Sequence, residues 1–175
     1  SPARCPSEME RLLLTNARVF TGGEIVRADV LVSGGRVAAI GEGIACPGAL
    51  CVDLHGNLLA PGFIDVHTHG GFGVDINAAT RADYEKLAAF YASQGVTGFL
   101  ASILTDTPEA TERAIDAAVD FIENPAPGAK CLGIHLEGPF LCEKYKGAMP
   151  PELLREGDAE LFRRYQRKAA GRVRY

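Results

Sequence analysis

The rhythm of the chain changes at Pro61-Gly62, and that change limits the folds open to it. From Leu12 to Ala60, short apolar runs are cut by glycine turns and show no helical period. The runs are Leu12 to Leu14, Val19-Phe20, Ile25 to Val32, Val37 to Ile40, Cys51 to Leu54 and Leu58 to Ala60. Gly22-Gly23, Gly34-Gly35 and His55-Gly56-Asn57 separate them. Short strands joined by tight turns predict a small β-sandwich or meander over residues 12–60. His55, beside a turn glycine, reads as a solvated turn residue and not as a ligand.

After Pro61-Gly62, strand and helix patterns alternate over residues 61–175. Phe63 to His67 reads as a strand. Thr80 to Ser93 reads as a helix with Thr80 as N-cap, Asp83 three residues on, and Tyr84, Leu87, Ala88 and Tyr91 on one face. Gly95 stops it and Val96 to Leu104 is a second strand. Thr107-Pro108-Glu109 combines a cap, a proline at the first helical position and an acid in the first turn. Ala114, Ile115, Ala118, Val119 and Ile122 give that helix an apolar stripe, and Asn124-Pro125 ends it. Cys131 to Glu137 is a third strand. A loop over residues 138–157 leads to a helix from Asp158 with Leu161, Phe162 and Tyr165 turned inward, and Val173-Arg174-Tyr175 opens a fourth strand. Such alternation predicts an α/β fold with a parallel sheet covered by helices. A (β/α)8 barrel needs eight units and about 250 residues. The chain supplies three and the start of a fourth, so the expectation is an incomplete barrel, finished by further sequence or by a second chain.

The 175 residues are 47% hydrophobic and 23% charged, with a formal net charge of -4. That is the composition of a soluble globular protein with a sizeable core. No basic stripe marks a nucleic-acid binder, and no run approaches the roughly 18 apolar residues of a membrane span. Residues 1–11 are polar, carry Pro2 and Pro6 and lack a signal-peptide pattern. They read as disordered or foreign to the native protein, with Met9 as the start. Five cysteines without CxxC spacing predict reduced thiols in a cytoplasmic protein, with Cys131 a small core residue.

The chemistry gathers at two strand ends. In Ala60 to Gly71, APGFIDVHTHGG, strand alternation puts His67 and His69 on one face, with Thr68 on the other. In Cys131 to Phe140, CLGIHLEGPF, Glu137 follows an apolar run. Parallel α/β folds place active sites at the C-terminal ends of strands. Two imidazoles and a carboxylate there suit zinc, iron or manganese. Asp65 and His135 sit deeper on the same faces and are expected to hydrogen-bond in the core or behind the ligands. The glycines of Gly70-Gly71-Phe72-Gly73 serve a sharp turn or a close backbone approach; their spacing is not a dinucleotide fingerprint.

PGFIDVHTHG resembles the first barrel strand of the amidohydrolase superfamily. Together with GGFGVDINAA, GVTGFLASILT, LGIHLEGPF and KGAMPPELL, it makes the chain from Leu12 to Tyr175 resemble the N-acetylglucosamine-6-phosphate deacetylase family. The resemblance implies a hydrolase, using one or two divalent ions per site, that forms glucosamine 6-phosphate and acetate. It implies that Glu137 is the central metal ligand and that His67 and His69 bind a second ion. Ala148 and Met149 would line the sugar pocket, Met149 standing where many relatives carry histidine. The family's catalytic aspartate, its other metal-binding histidines and most phosphate-binding residues lie on later strands. No catalytic residue is therefore expected within these 175 residues, and the piece alone is expected to be inactive and to self-associate. The partner is a small amino-sugar phosphate, with neither nucleic acid nor membrane, and the full-length protein is expected to be a homodimer. Two alternatives stay open: a dihydroorotase-like or D-aminoacylase-like enzyme, which would not carry EGPF followed by KGA, and a non-catalytic metal-binding fragment.

Overall fold

The structure, a computed structural model, describes residues 11–175. The expectation for the first eleven residues therefore lies outside the described residues, except that Arg11 opens a strand. The chain divides into two compact units, one ending at Pro61 and the other spanning Gly62–Tyr175.

The first unit contains β1 (Arg11–Phe20), β2 (Ile25–Ser33), β3 (Arg36–Gly41), β4 (Leu50–Asp53) and β5 (Leu58–Leu59). They form one sheet in the order β3-β2-β1-β4, with β5 also pairing β1. The β1–β2 and β2–β3 pairs are antiparallel, while β4 and β5 run parallel to β1. Among the described residues this is a single sheet, so the two layers of a sandwich are not seen and β1 to β3 form a meander. The two apolar runs read separately at Leu12 and Val19 belong to one strand. It continues across a register slip between Leu14 and Ala17, where Asn16 takes a φ of 53°. An Asn side chain tolerates that left-handed geometry because it can bond locally. Here its amide donates to Asp53 at 2.9 Å and its backbone N–H to Asp29 at 3.1 Å. Ala17, Val19, Ala28 and Val30 form the buried cluster of the unit. His55 lies exposed in the turn before β5.

In the second unit, β6 (Phe63–Thr68) is followed by a small hairpin of β7 (Gly70–Gly71) and β8 (Val74–Asp75). After a 3-10 turn at Ile76–Ala78 come α1 (Arg81–Ser93), β9 (Val96–Leu104), α2 (Pro108–Glu123) and β10 (Lys130–Glu137). The loop beyond β10 holds two short 3-10 turns and leads to α3 (Ala159–Lys168). The sheet runs β10-β9-β6 and is parallel throughout. Residues 172–175 lie along β10 as an isolated parallel bridge, Ile134 with Val173, in place of the fourth strand read from sequence. Ile134 N–H donates to Arg172 and Leu136 N–H to Tyr175, each at 2.9 Å.

The helices start where local chemistry dictates. Thr80 and Asp83 exchange side-chain-to-backbone bonds in a full capping box, and Thr107 caps α2 ahead of Pro108. The core packs Tyr84, Leu87, Ala88 and Tyr91 of α1 with Phe99, Ala101 and Ile103 of β9, and with Ile115, Ala118 and Phe121 of α2. Two faces differ from the sequence reading. In α2, Phe121 is fully buried while Val119 and Ile122 are only half-buried. In α3, Leu161 and Tyr165 stack one turn apart in the core, and Phe162, about 100° round the helix, is 42% exposed. No helix of the described residues is long and apolar enough to cross a membrane.

Candidate metal centre

β6 and β10 flank β9, so their C-terminal ends stand two strand spacings apart, roughly 9–10 Å. Side chains from both ends close that gap. Glu137 Oε2 lies 2.9 Å from His69 Nε2 and 3.3 Å from His67 Nε2, and the two Nε2 atoms are 3.2 Å apart. Among the described residues, His67, His69 and Glu137 are the one group of histidine, cysteine and acidic side chains with metal-binding spacing.

The hydrogen bonds around the cluster decide which lone pairs are free. His69 Nδ1 lies 3.1 Å from the carbonyl oxygen of Ser102. A carbonyl can only accept, so Nδ1 carries a proton, and whenever the ring holds just that one proton Nε2 presents a lone pair toward Glu137. Glu137 Oε2 itself is shielded from solvent and makes no well-aligned hydrogen bond, its polar neighbours being the two imidazole Nε2 atoms. Three such atoms held within 3.3 Å of one another could hold a cation between them, and two nitrogens with one oxygen suit zinc, iron or manganese. Three protein donors leave a coordination position for water or substrate, as catalytic sites require.

The residues behind the cluster are held by backbone. Asp65 accepts the N–H of His67 at 3.1 Å. His135 is buried, its Nδ1 3.0 Å from the hydroxyl of Ser102. Burial chiefly, then the nearby His67 ring, holds its pKa below the ordinary histidine value and favours the neutral form. Neither side chain joins the group of three. The carbonyl of Glu137 accepts from Thr105 Oγ1 at 2.8 Å. Immediately after it, Gly138 has a φ of 98°, and a Cβ there would fall 1.9 Å from Thr105 Oγ1, so only glycine fits. In the following loop Ala148 is exposed and Met149 is buried. Lys146 Nζ donates to the Met149 carbonyl at 2.7 Å.

The glycines after His69 make a turn. Phe72 and Gly73 take φ values of 53° and 79° between β7 and β8, and a Cβ on Gly70 would fall 2.1 Å from the carbonyl of Val74. Sequence reading missed Ser102 and Asn77. Ser102 could have been flagged as a lone hydroxyl within the apolar run of β9. Asn77 acts as a substitute strand: its amide accepts from Leu104 N–H at 2.8 Å and donates to the Leu104 carbonyl at 3.1 Å, at the end of β9.

No model of a known protein family matches the chain. Individual relatives do. The chain is 35% identical over 173 residues to N-acetylglucosamine-6-phosphate deacetylase of Mus musculus, covering 91% of this chain and 40% of that protein. It is 31% identical over 171 residues to the Bacillus subtilis enzyme of the same name, covering 94% and 43%. The crystal structure of N-acetyl-D-glucosamine-6-phosphate deacetylase from Mycobacterium smegmatis superposes with a TM-score of 0.79 at 33% identity, over 93% of this chain and 45% of that one. The chain belongs to the N-acetylglucosamine-6-phosphate deacetylase family and corresponds to the N-terminal part of those proteins. It spans about two fifths of the length of the curated relatives it matches.

Proposed function

We propose that the protein acts in metal-dependent deacetylation of N-acetylglucosamine 6-phosphate, giving glucosamine 6-phosphate and acetate, with its second unit contributing the opening strands of a (β/α)8 barrel. The observation that carries this reading is the convergence of His67, His69 and Glu137 on one point, their ligand atoms lying within 3.3 Å of one another. Glu137, His67 and His69 would hold a divalent ion, either zinc, iron or manganese. When bound, such an ion polarises a carbonyl and lowers the pKa of a bound water toward about 7. The chain's own residues prepare that chemistry. Ser102 keeps the lone pair of His69 directed inward, Thr105 and Gly138 fix the backbone that aims Glu137, and Asp65 anchors the backbone of His67. The loop carrying Ala148 and Met149, clasped by Lys146, borders the sugar.

Protein made from the complete reading frame and loaded with Zn²⁺ should release acetate from N-acetylglucosamine 6-phosphate. Hydrolysis of a cyclic amide such as dihydroorotate, with no acetate from the sugar phosphate, would overturn the substrate assignment. Failure to act on either substrate would overturn the catalytic reading.

A further inference from the structure

We propose that Ser102 is the positioning residue of the metal centre, its two oxygens setting the tautomer of His69 and the pitch of the strand end that carries both histidines. The inference rests on the metal reading above. Ser102 lies in the middle strand and is fully buried, behind the group formed by His67, His69 and Glu137. It acts on the ligands through bonds to both flanking strands.

The pairing of β6 with β9 slips between Asp65 and Thr68. A slip of this kind leaves backbone groups without ladder partners and re-aims the side chains that ride on it. Here the displaced residues are Val66 and His67, immediately before Thr68 and His69. Side chains take up the amides at the slip. The carboxylate of Asp65 accepts His67 N–H, and the hydroxyl of Ser102 accepts Thr68 N–H at 3.1 Å. Thr68 is thereby held from both sides, because its own hydroxyl meets the Tyr91 hydroxyl of α1 and accepts Gly70 N–H at 3.2 Å. The residue between the two histidines therefore has its backbone fixed by β9 and its side chain fixed by a helix.

The same Ser102 hydroxyl bonds His135 Nδ1 on β10, two residues before Glu137. Its carbonyl accepts the Nδ1 proton of His69. One residue thus ties together the two strand ends whose side chains must meet. Partners that orient a metal-binding histidine change metal affinity by about 10- to 100-fold when removed.

The test uses the full chain as wild type and as Ser102→Ala, Ser102→Thr and Ser102→Val, titrated with Zn²⁺ and with Co²⁺ as a spectroscopic probe. Thr and Val have the same shape, and only Thr keeps the hydroxyl. Ser102→Ala and Ser102→Val are expected to bind both ions about 10- to 100-fold more weakly, with an altered Co²⁺ visible spectrum and unchanged far-ultraviolet circular dichroism. Ser102→Thr is expected to recover most of the affinity. Nitrogen-15 spectra of the metal-free wild type should show His69 as the Nδ1–H tautomer, a readout that needs neither a variant nor a metal. Ser102→Val binding as tightly as Ser102→Thr, or His69 found as the Nε2–H tautomer, would overturn the proposal. A wild type that binds neither ion would instead sink the metal reading beneath it, and the tautomer would still judge the role of Ser102.

Discussion

Replacing Gly138 by Ala should strike the metal centre through backbone alone. The φ of 98° lies in the region where an L side chain is strained, and the added Cβ would fall 1.9 Å from Thr105 Oγ1. Strain of this kind costs about 1–3 kcal/mol. The clash also forces Thr105 from the rotamer in which it donates to the Glu137 carbonyl at 2.8 Å, a bond worth about 1 kcal/mol. Together the loss is about 2–4 kcal/mol. For a chain of this size each kcal/mol lowers Tm by roughly 2–4 °C. The clash and the strain can be separated. Thr105→Ala alone should cost about 1 kcal/mol by deleting the bond. Because it also removes the atom that collides with Cβ, the double variant should be more stable than the sum of the single losses implies. Urea unfolding of the four proteins gives the coupling, and Zn²⁺ titration shows whether Glu137 is still aimed at the histidines. A Gly138→Ala protein as stable as wild type, or strictly additive losses, would refute the account of why glycine stands there.

Glu137→Gln should abolish tight Zn²⁺ binding in calorimetry yet cost the metal-free protein less than about 1 kcal/mol, since the side chain is partly exposed and its pairing with the two histidines is solvated; a large fall in stability would count against that picture. Asn77→Ala should destabilise the protein by about 1–3 kcal/mol, measured by urea unfolding, because it strips both backbone partners from Leu104 at the end of β9. Burial pushes the Cys131 thiol up to about 11 from an ordinary value near 9. Between those two pH values the unfolded chain has lost the proton that the folded chain keeps, so stability should fall with rising pH by about 1.4 kcal/mol per unit across that window. Cys131→Ala should flatten this slope in denaturation curves, and an unchanged slope would assign the alkaline loss to other groups. Phe63, Ile64 and Val66 on β6 are 72%, 62% and 59% exposed at the edge of the described sheet. Val66→Lys should therefore shift sedimentation of the chain toward smaller species, whereas a monodisperse wild-type monomer would contradict self-association through this edge.

What could be read from the sequence follows the range of the physics involved. Helix starts at Thr80 and Thr107 are local, because cap, acid and proline lie within four residues of one another, and α1 and α2 begin there. Side-chain faces are less local. Phe121 outranks Val119 and Ile122, and Phe162 stays exposed, because the surface each helix meets decides which edge of a broad apolar stripe is buried. The strand β1 looked broken at Thr15-Asn16 because a slip in register interrupts its apolar pattern without ending its pairing.

The metal centre divides in the same way. The i, i+2 spacing of His67 and His69 is visible in a string of letters, and so is an acid at the end of another strand. Their meeting depends on β9 lying between β6 and β10, a fact of pairing order that no local pattern contains. Ser102 shows the limit most clearly. Its bonds to Thr68, His69 and His135 span 33 or 34 residues, and its partners are backbone or ring atoms of residues already assigned other roles. A side chain whose work is done through a neighbour's amide leaves no motif. It leaves a polar residue in an apolar strand, and a fully buried hydroxyl in such a run must find partners or destabilise the fold. That requirement is legible in the amino-acid letters alone, and in this chain it points to the residue that joins the two halves of the site.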